Sequence, residues 1–177
     1  MTEIQIRTLR GEDFESLRQL EADIFGSAGY AVVSPHYLRL CTDFFADTCF
    51  LALVDGQPIG YMLCFVRGRE AYSTRLGVCE EFHGTGVAMR LIGACISKLV
   101  EDDYDLLWFT VKPDNTHARE LYRRLGAVER AVRRDFLAPG DELIIGEVDK
   151  QTLIRLGQRF RPSREVARPS GGAGLHA

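Results

Sequence analysis

Long apolar runs are absent from this sequence. Its 177 residues contain no stretch of about 18 consecutive apolar residues, the length that a membrane-spanning helix needs. The first residues, MTEIQIRTLRGEDF, also lack the basic segment followed by an apolar one that marks a signal peptide. We therefore expect no membrane span and a cytoplasmic location. The hydrophobic residues, 46% of the chain, suffice for one buried core.

Paired cysteines and metal-ligand spacings are also absent. The cysteines form no Cys-x-x-Cys pair and lie at no ligand spacing from a histidine; they are Cys41, Cys49, Cys64, Cys79 and Cys95. Because they fall in apolar segments, they are predicted to be reduced thiols in the core, and no metal site is predicted. A catalytic cysteine needs a histidine beside it, and the sequence does not show which histidine comes close to a thiol.

A broad positive face is the third missing feature. The net charge is −3, but five arginines against one glutamate give residues 151–177 a charge of +4, which leaves −7 on residues 1–150. A dedicated nucleic-acid-binding protein is usually basic across a folded face, so nucleic acid is not an expected partner. Residues 1–150 are predicted to form a single domain. Residues 151–177, which end in a segment rich in Pro, Gly, Ser and Arg, are predicted to be a largely disordered C-terminal extension.

Hydrophobic periodicity and turn residues predict the order of the elements. Two helices follow the first strand, and the second begins after Ser34-Pro35. The dipeptide Asp55-Gly56 predicts a tight hairpin. The predicted strands cover residues 4–9, 49–54, 58–66, 71–78, 106–111, 128–137 and 143–148, and the later helices cover residues 87–100 and 116–125. The resulting order, β-α-α-β-β-β-α-β-α-β-β, predicts an α/β (α+β) fold in which helices cover a mixed sheet.

The most informative segment is the glycine-rich turn between the strand at 71–78 and the helix that begins at Val87. At a helix N-terminus the backbone N–H groups are unpaired and the peptide dipoles favour negative charge. A turn of this kind can therefore hold a phosphate group. A short Gly-x-Gly turn also serves as a plain connection between a strand and a helix, and the turn alone leaves this alternative open.

Two motifs make the chain resemble the GNAT family of acyl-CoA N-acyltransferases over residues 4–148. The family's pyrophosphate signature is Gln or Arg, two residues, Gly, one residue, and Gly or Ala. The segment His83-Gly84-Thr85-Gly86-Val87-Ala88 matches it at every position except the first. The second motif is Asn115 after the next strand, followed by Tyr122 one helix later. The resemblance implies a mostly antiparallel sheet of about seven strands with helices on both faces.

The resemblance also implies direct transfer of an acyl group from a thioester. The backbone N–H of Val78 would polarise the thioester carbonyl, and Tyr122 would be the general acid that protonates the departing thiolate. The residues expected to bind the acyl donor are Leu76, Gly77, Val78, His83, Gly84, Thr85, Gly86, Val87, Ala88, Met89 and Asn115. Without the resemblance, Tyr122 is first of all a half-buried aromatic on an amphipathic helix, and Asn115 is a helix cap or turn residue. No general base is assigned among the candidates Glu70, Ser73, Glu80 and Glu81.

The expected donor is acetyl-CoA or another acyl-CoA, with no metal. His83 stands where the family usually has Arg or Gln, and an imidazole gives a weaker, pH-dependent contact to phosphate. Two alternatives therefore stay open. In the first, the donor is an acyl group carried by a carrier protein or tRNA. In the second, the chain is a catalytically inactive CoA-binding module.

The expected acceptor is the amine of a small molecule or amino acid, in a pocket formed by residues 25–45 and 133–145. Residues 34–49 resemble, over that length only, the diaminobutyrate acetyltransferases of ectoine synthesis. That resemblance would place Tyr37, Asp43 and Asp47 near an amino group, while the plain alternative leaves both carboxylates facing water. A homodimer through the late strands is expected by analogy alone.

Overall fold

The computed structural model describes residues 3–160. Within these residues seven strands and four α-helices follow one another in the predicted order, and a fifth α-helix follows the last strand. The strands are β1 (Ile4–Thr8), β2 (Phe50–Val54), β3 (Gln57–Arg67), β4 (Glu70–Val78), β5 (Leu106–Val111), β6 (Val128–Arg134) and β7 (Glu142–Asp149). The helices are α1 (Phe14–Glu21), α2 (Pro35–Asp43), α3 (Val87–Glu101), α4 (Thr116–Arg124) and α5 (Lys150–Phe160).

All seven strands form one sheet in the order β1-β2-β3-β4-β5-β7-β6. Neighbouring strands are antiparallel except β4 and β5, which are parallel. The expected mostly antiparallel sheet of about seven strands is therefore confirmed. Asp55 and Gly56 both have positive φ, 50° and 78°, and form the predicted tight turn between β2 and β3.

The parallel pairing of β4 with β5 is short. It joins Glu70–Ser73 to Leu106–Phe109 and ends there, although both strands continue. At the same point the register of β4 against β3 skips Thr74, because Ser73 pairs with Cys64 and Arg75 with Leu63. Such a bulge bends a strand. Within residues 3–160, β4 beyond Ser73 thus has a backbone edge that no strand covers, and we call the space beside it the β4–β5 cleft.

Helices cover both faces of the sheet, as expected. On one face α1 and α2 pack through apolar side chains such as Leu17 and Leu38 against Tyr61 and Leu63 of β3. On the other face α3 is the central helix, α5 lies beside it, and α4 packs at its margin. Alternate residues of each central strand point to the two cores, which is the period-2 pattern that the sequence displays.

The C-terminal boundary predicted at residue 150 is wrong. Residues 150–160 form α5, whose Leu153 and Leu156 are buried against α3. A Cβ at Gly93 of α3 would lie 2.8 Å from Cδ1 of Phe160, so the glycine makes room for that ring. The domain therefore continues to Phe160. The part of the expected disordered extension from residue 161 onward lies outside the described residues.

The cysteines are free, and four of them are buried as predicted, while Cys79 is half-buried. Between residues 3 and 160 no group of three or more His, Cys, Asp or Glu side chains could hold a metal ion. No helix in that same range is both long enough and apolar enough to cross a membrane.

Candidate functional site

The glycine-rich turn presents unpaired backbone N–H groups at the start of α3. Gly84 and Gly86 have φ of 76° and 87°, and Gly86 occupies the N-cap position without any side-chain cap. The first helical bond runs from the Arg90 N–H to the Gly86 carbonyl oxygen, at 3.1 Å. The N–H groups of residues 86–89 therefore have no acceptor within the part of the chain that the structure describes. Together with the helix dipole, these unpaired donors can accommodate an anion.

His83 bonds back to β4. Its Nε2–H donates to the carbonyl oxygen of Val78 at 2.9 Å, so the ring closes the turn onto the end of the strand. From the sequence, this side chain is expected to contact a phosphate. In the structure only Nδ1 is left for such a contact. The bond from Nε2 to the Val78 carbonyl fixes the position of the end of β4.

The open edge of β4 carries the main-chain groups of Leu76 and Val78. The Cys79 N–H donates to the Ile59 carbonyl at 2.9 Å, and Gly77 pairs with Tyr61 on β3. Because N–H and C=O groups alternate sides along a strand, those of Leu76 and Val78 point away from β3 into the cleft. Gly77 has no room for a side chain, since a Cβ there would lie 2.9 Å from the Phe25 ring.

Tyr122 lies at the inner end of the cleft. Asn115 caps α4 by accepting a hydrogen bond from the Ala118 N–H at 3.1 Å, so the helix-cap interpretation of Asn115 is confirmed. The Tyr122 ring packs on Phe109, with 4.0 Å between ring centroids, and both rings line a cavity of about 20 Å³ that Ser73 also borders. The Tyr122 hydroxyl has no hydrogen-bond partner among residues 3–160. Burial raises the pKa of Tyr122 to about 12, so the phenol keeps its proton.

Phe109 is held by a glycine on the next strand. A Cβ at Gly146 of β7 would lie 2.6 Å from Cε2 of Phe109, closer than carbon atoms can approach. The Phe109 ring therefore rests on the bare backbone of β7 and in turn supports the Tyr122 ring. The sequence gives no signal for this stack beyond an isolated glycine inside a strand pattern.

Replacing Gly146 by alanine is expected to displace Phe109 and, through it, Tyr122. We expect a stability loss of about 1–3 kcal/mol, the usual cost of overpacking, and a fall in acyl-transfer kcat of about tenfold. Steady-state kinetics and thermal unfolding measure both effects. Gly93→Ala is the matched control, because it forces a Cβ against Phe160 on the α3–α5 contact and should lower stability alone. Equal kcat values for the two variants would contradict the supporting role of Gly146.

An aromatic surface lies on the opposite side of the sheet from α3, beside the cleft. The rings of Tyr72 and Trp108 are stacked with centroids 3.8 Å apart, and the hydroxyls of Tyr72 and Thr110 lie 2.9 Å apart. Tyr37 packs edge-on against Phe65, the β3 partner of Tyr72. We call Tyr37, Tyr72, Trp108 and Thr110 the aromatic floor. Tyr37 is the only residue of this set predicted from the sequence, although the alternation of β5 places Trp108 on the face opposite the buried Leu107 and Phe109.

Most candidate bases and carboxylates are not brought to the cleft. Glu70 begins β4, pairs with Arg67 and lies about 26 Å of strand away from Val78. Ser73 is buried at the inner end of the cleft, whereas Glu80 and Glu81 are exposed just after β4.

The two aspartates of residues 34–49 also lie elsewhere. Asp43 accepts a hydrogen bond from the Thr42 hydroxyl and pairs with Arg39. Asp47 lies in the short turn Ala46–Thr48, which contacts α3. The hydrogen bond to Asp102 is the main cause that raises the pKa of Lys98 in the last turn of α3, and Asp47 adds to it, which places Asp47 near that turn and about 16 Å of helix from the glycine-rich turn. For Asp43 and Asp47 the surface interpretation fits these positions better than contact with an amino group.

The short parallel pairing, the uncapped helix and the open strand edge together define a domain of the acetyltransferase class. A family model described as "Acetyltransferase (GNAT) family" matches residues 14–127. The chain belongs to this family.

Three known proteins illustrate the similarity. The L-2,4-diaminobutyric acid acetyltransferase of Chromohalobacter salexigens is 32% identical over 145 residues, which cover 78% of this chain and 70% of that protein. The structure of the ribosomal-protein-S18-alanine N-acetyltransferase from Escherichia coli superposes with a TM-score of 0.70 at 20% identity, covering 83% of this chain and 94% of the other. Diaminobutyrate acetyltransferase EctA from Paenibacillus lautus, solved with L-2,4-diaminobutyric acid and coenzyme A, superposes with a TM-score of 0.66 at 19% identity, covering 84% of this chain and 96% of the other.

Proposed function

We propose that this protein is an N-acetyltransferase that moves an acetyl group from acetyl-CoA to the amine of a small molecule or amino acid. One observation carries the proposal: the uncovered edge of β4 leads directly into the uncapped N-terminus of α3, with Tyr122 at the inner end of the same cleft. This arrangement offers hydrogen bonds to a pantetheine arm, an anion site for its pyrophosphate and a proton for its sulfur. The family membership supports the same activity.

The donor is held mainly by backbone groups. The N–H groups of Gly86, Val87, Ala88 and Met89 bind the pyrophosphate, with Gly84 and Thr85 shaping the turn in front of them. The main chain of Leu76 pairs with the pantetheine arm as an added strand would. His83 fixes the Val78 carbonyl and so orients the neighbouring peptide groups. The side-chain N–H₂ of Asn115 stays available to the arm, because its capping bond uses only Oδ1.

The chemistry requires one bond to form and one to break. The neutral amine attacks the thioester carbonyl carbon, and the C–N bond forms while the carbonyl oxygen becomes an oxyanion. The Val78 N–H stabilises that oxyanion by a fixed dipole. The carbonyl then re-forms as the C–S bond breaks, and the sulfur takes the proton of Tyr122. The proton lost by the amine leaves to water, and the Tyr122 phenolate regains a proton from water. We assign no protein group as the base for that last proton.

The aromatic floor supports a small amine as the acceptor. It lies on the face of the sheet away from α3, next to the point where β4 and β5 separate, so an amine there reaches the thioester from the side opposite the donor's helix. Aromatic faces attract ammonium groups, and the hydroxyls of Tyr37, Tyr72 and Thr110 supply hydrogen-bond partners. The similarity to a diaminobutyric acid acetyltransferase points to amino acids with a second amine as the first acceptors to try.

Release of the free CoA thiol from acetyl-CoA over a panel of amines tests the proposal. The panel contains diamino acids, simple amino acids, polyamines and short peptides, and thermal unfolding with and without acetyl-CoA runs in parallel. We expect turnover with at least one small amine and stabilisation by acetyl-CoA. Stabilisation without turnover for any amine would indicate an inactive CoA-binding module. Absence of both would indicate a donor that is not free acetyl-CoA.

A further inference from the structure

A buried ion pair joins α1 to β4. The Glu21 side chain is 0% exposed, and its Oε1 accepts a hydrogen bond from Nη2 of Arg75 at 2.5 Å. The Nε of Arg75 lies 3.3 Å from Oε2 of Glu21, and the hydroxyl of Tyr61 donates to the same carboxylate. Buried carboxylates are costly unless they are paired in this way. The donor mechanism described above uses neither residue.

The same pair holds the loop between α1 and α2, residues 27–34. The Val33 N–H donates to Oε1 of Glu21 at 3.0 Å, and Nη2 of Arg75 donates to the Ala31 carbonyl oxygen at 2.7 Å. The Arg75 guanidinium also lies over the Phe25 ring at 3.8 Å, and Phe25 packs against Gly77. One backbone group of the loop is thus tied to Arg75, which immediately precedes Leu76 in β4, and another is tied to its partner Glu21.

The loop extends from β4 to the far side of the cleft. Tyr30 packs on Phe25 with 6.3 Å between centroids, and Nζ of Lys112, at the end of β5, lies 5.3 Å from the Tyr30 centroid. The middle of the loop is therefore tied to β4 through Ala31 and Arg75, and the neighbouring Tyr30 reaches the end of β5. An amine that approaches the cleft from the aromatic floor must pass beside this loop.

We propose that Glu21 and Arg75 are positioning residues for the acceptor: their ion pair fixes loop 27–34 across the cleft and so sets the affinity for the amine. The inference rests on the proposed function. A protein whose loop is ordered only part of the time binds its ligand more weakly in proportion to the ordered fraction. Once the amine is bound, the ordered loop is restored. Loss of the pair should therefore raise KM for the amine and leave kcat and the affinity for acetyl-CoA nearly unchanged.

The variant Glu21→Gln tests the proposal. It keeps the shape of the side chain but removes the charge that bonds Arg75. We expect KM for the amine to rise about tenfold, with kcat and the acetyl-CoA dissociation constant within about twofold of wild type. Asp13→Asn is the matched control, because Asp13 is a buried carboxylate that bonds Arg7 at 2.7 Å at the junction of β1 and α1, away from the cleft. It should lower stability without raising KM.

Hydrogen exchange provides a readout that needs no activity. The Val33 amide should exchange faster in Glu21→Gln than in wild type, and at the wild-type rate in Asp13→Asn. If the wild type turns over no amine, the proposed function fails while this measurement still tests the tether. Unchanged exchange of residues 27–34 in Glu21→Gln, or a KM for acetyl-CoA that rises as much as that for the amine, would overturn the inference.

Arg75→Lys serves if Glu21→Gln does not fold. A lysine keeps the charge next to Glu21 but cannot reach Glu21 and the Ala31 carbonyl with one planar group. We expect a smaller rise in the amine KM, about threefold, and faster exchange of residues 27–34. The positioning role would equally be contradicted if Arg75→Lys folds, keeps the wild-type KM for the amine and protects the amides of residues 27–34 from exchange as the wild type does.

Discussion

Replacing Tyr122 by phenylalanine should lower kcat for acetyl transfer by about 100-fold or more, the range in which general acids contribute. The departing CoA thiolate would lose its proton donor, while the ring packing on Phe109 would remain. The affinity for acetyl-CoA should therefore change little. Steady-state kinetics with a saturating amine, together with calorimetric titration of acetyl-CoA, measure the two quantities separately.

The pH dependence of this variant follows from the raised pKa of Tyr122. A phenol with a pKa of about 12 is protonated at every pH below that value and loses its proton as pH rises through it. The acid is thus present throughout the usual assay range, and the ratio of wild-type to variant kcat should stay constant between about pH 7 and 10. Tyr104→Phe is the control, because Tyr104 is a half-buried tyrosine beyond the far end of α3. A wild-type kcat in Tyr122→Phe would contradict the assignment of Tyr122 as the general acid.

Replacing Gly86 by valine should weaken acetyl-CoA binding about 100-fold. A Cβ at this position meets no protein atom within 4 Å, so a side chain there would occupy the open space in front of the unpaired N–H groups of α3. Hydrogen bonds to charged groups contribute about 1.5–3 kcal/mol each, and the loss of one or two of them corresponds to about two powers of ten in affinity. Calorimetry or thermal shift with acetyl-CoA measures the loss.

The variant also introduces backbone strain, which a second glycine isolates. Gly86 has φ of 87°, and a β-branched residue in this left-handed region costs about 1–2 kcal/mol. Gly56, in the turn between β2 and β3, has φ of 78° and equally open surroundings. Gly56→Val should therefore lower the melting temperature by about 4 °C, as much as Gly86→Val does, and leave acetyl-CoA binding intact. Equal binding by both variants would mean that the glycine-rich turn is a plain connection.

Local signals in the sequence were sufficient for the order of the elements. Alternation identified β5 as residues 106–111, Ser34-Pro35 marked the start of α2, and Asp55-Gly56 specified the hairpin. The glycine-rich turn was recognisable for the same reason, since residues with positive φ next to a helix start leave a pattern in a few consecutive positions. Helix α5 was missed because Leu153 and Leu156 were outweighed by the composition of the tail that follows them.

Contacts between distant residues could not be foreseen in this way. Nothing in the sequence distinguishes Glu21 from the exposed carboxylates of other helices, and only the fold shows that it is buried against Arg75, 54 positions later. The bond from His83 to Val78 and the contact of Phe109 with Gly146 depend likewise on how the chain turns and on which strands become neighbours. Asp43, which pairs with Arg39, and Asp47, near the last turn of α3, likewise do not lie at the predicted contact with an amino group.

The sequence by itself determined the order of the elements, the glycine-rich turn and the family resemblance, because periodicity, glycine φ preference and helix-end chemistry all act within about a dozen residues. The tertiary structure alone decided that β7 lies between β5 and β6, that pairing of β4 with β5 stops at Ser73, and that loop 27–34 is tied across the resulting cleft. These features depend on pairings between segments far apart in the chain, whose register is set by packing of the whole sheet.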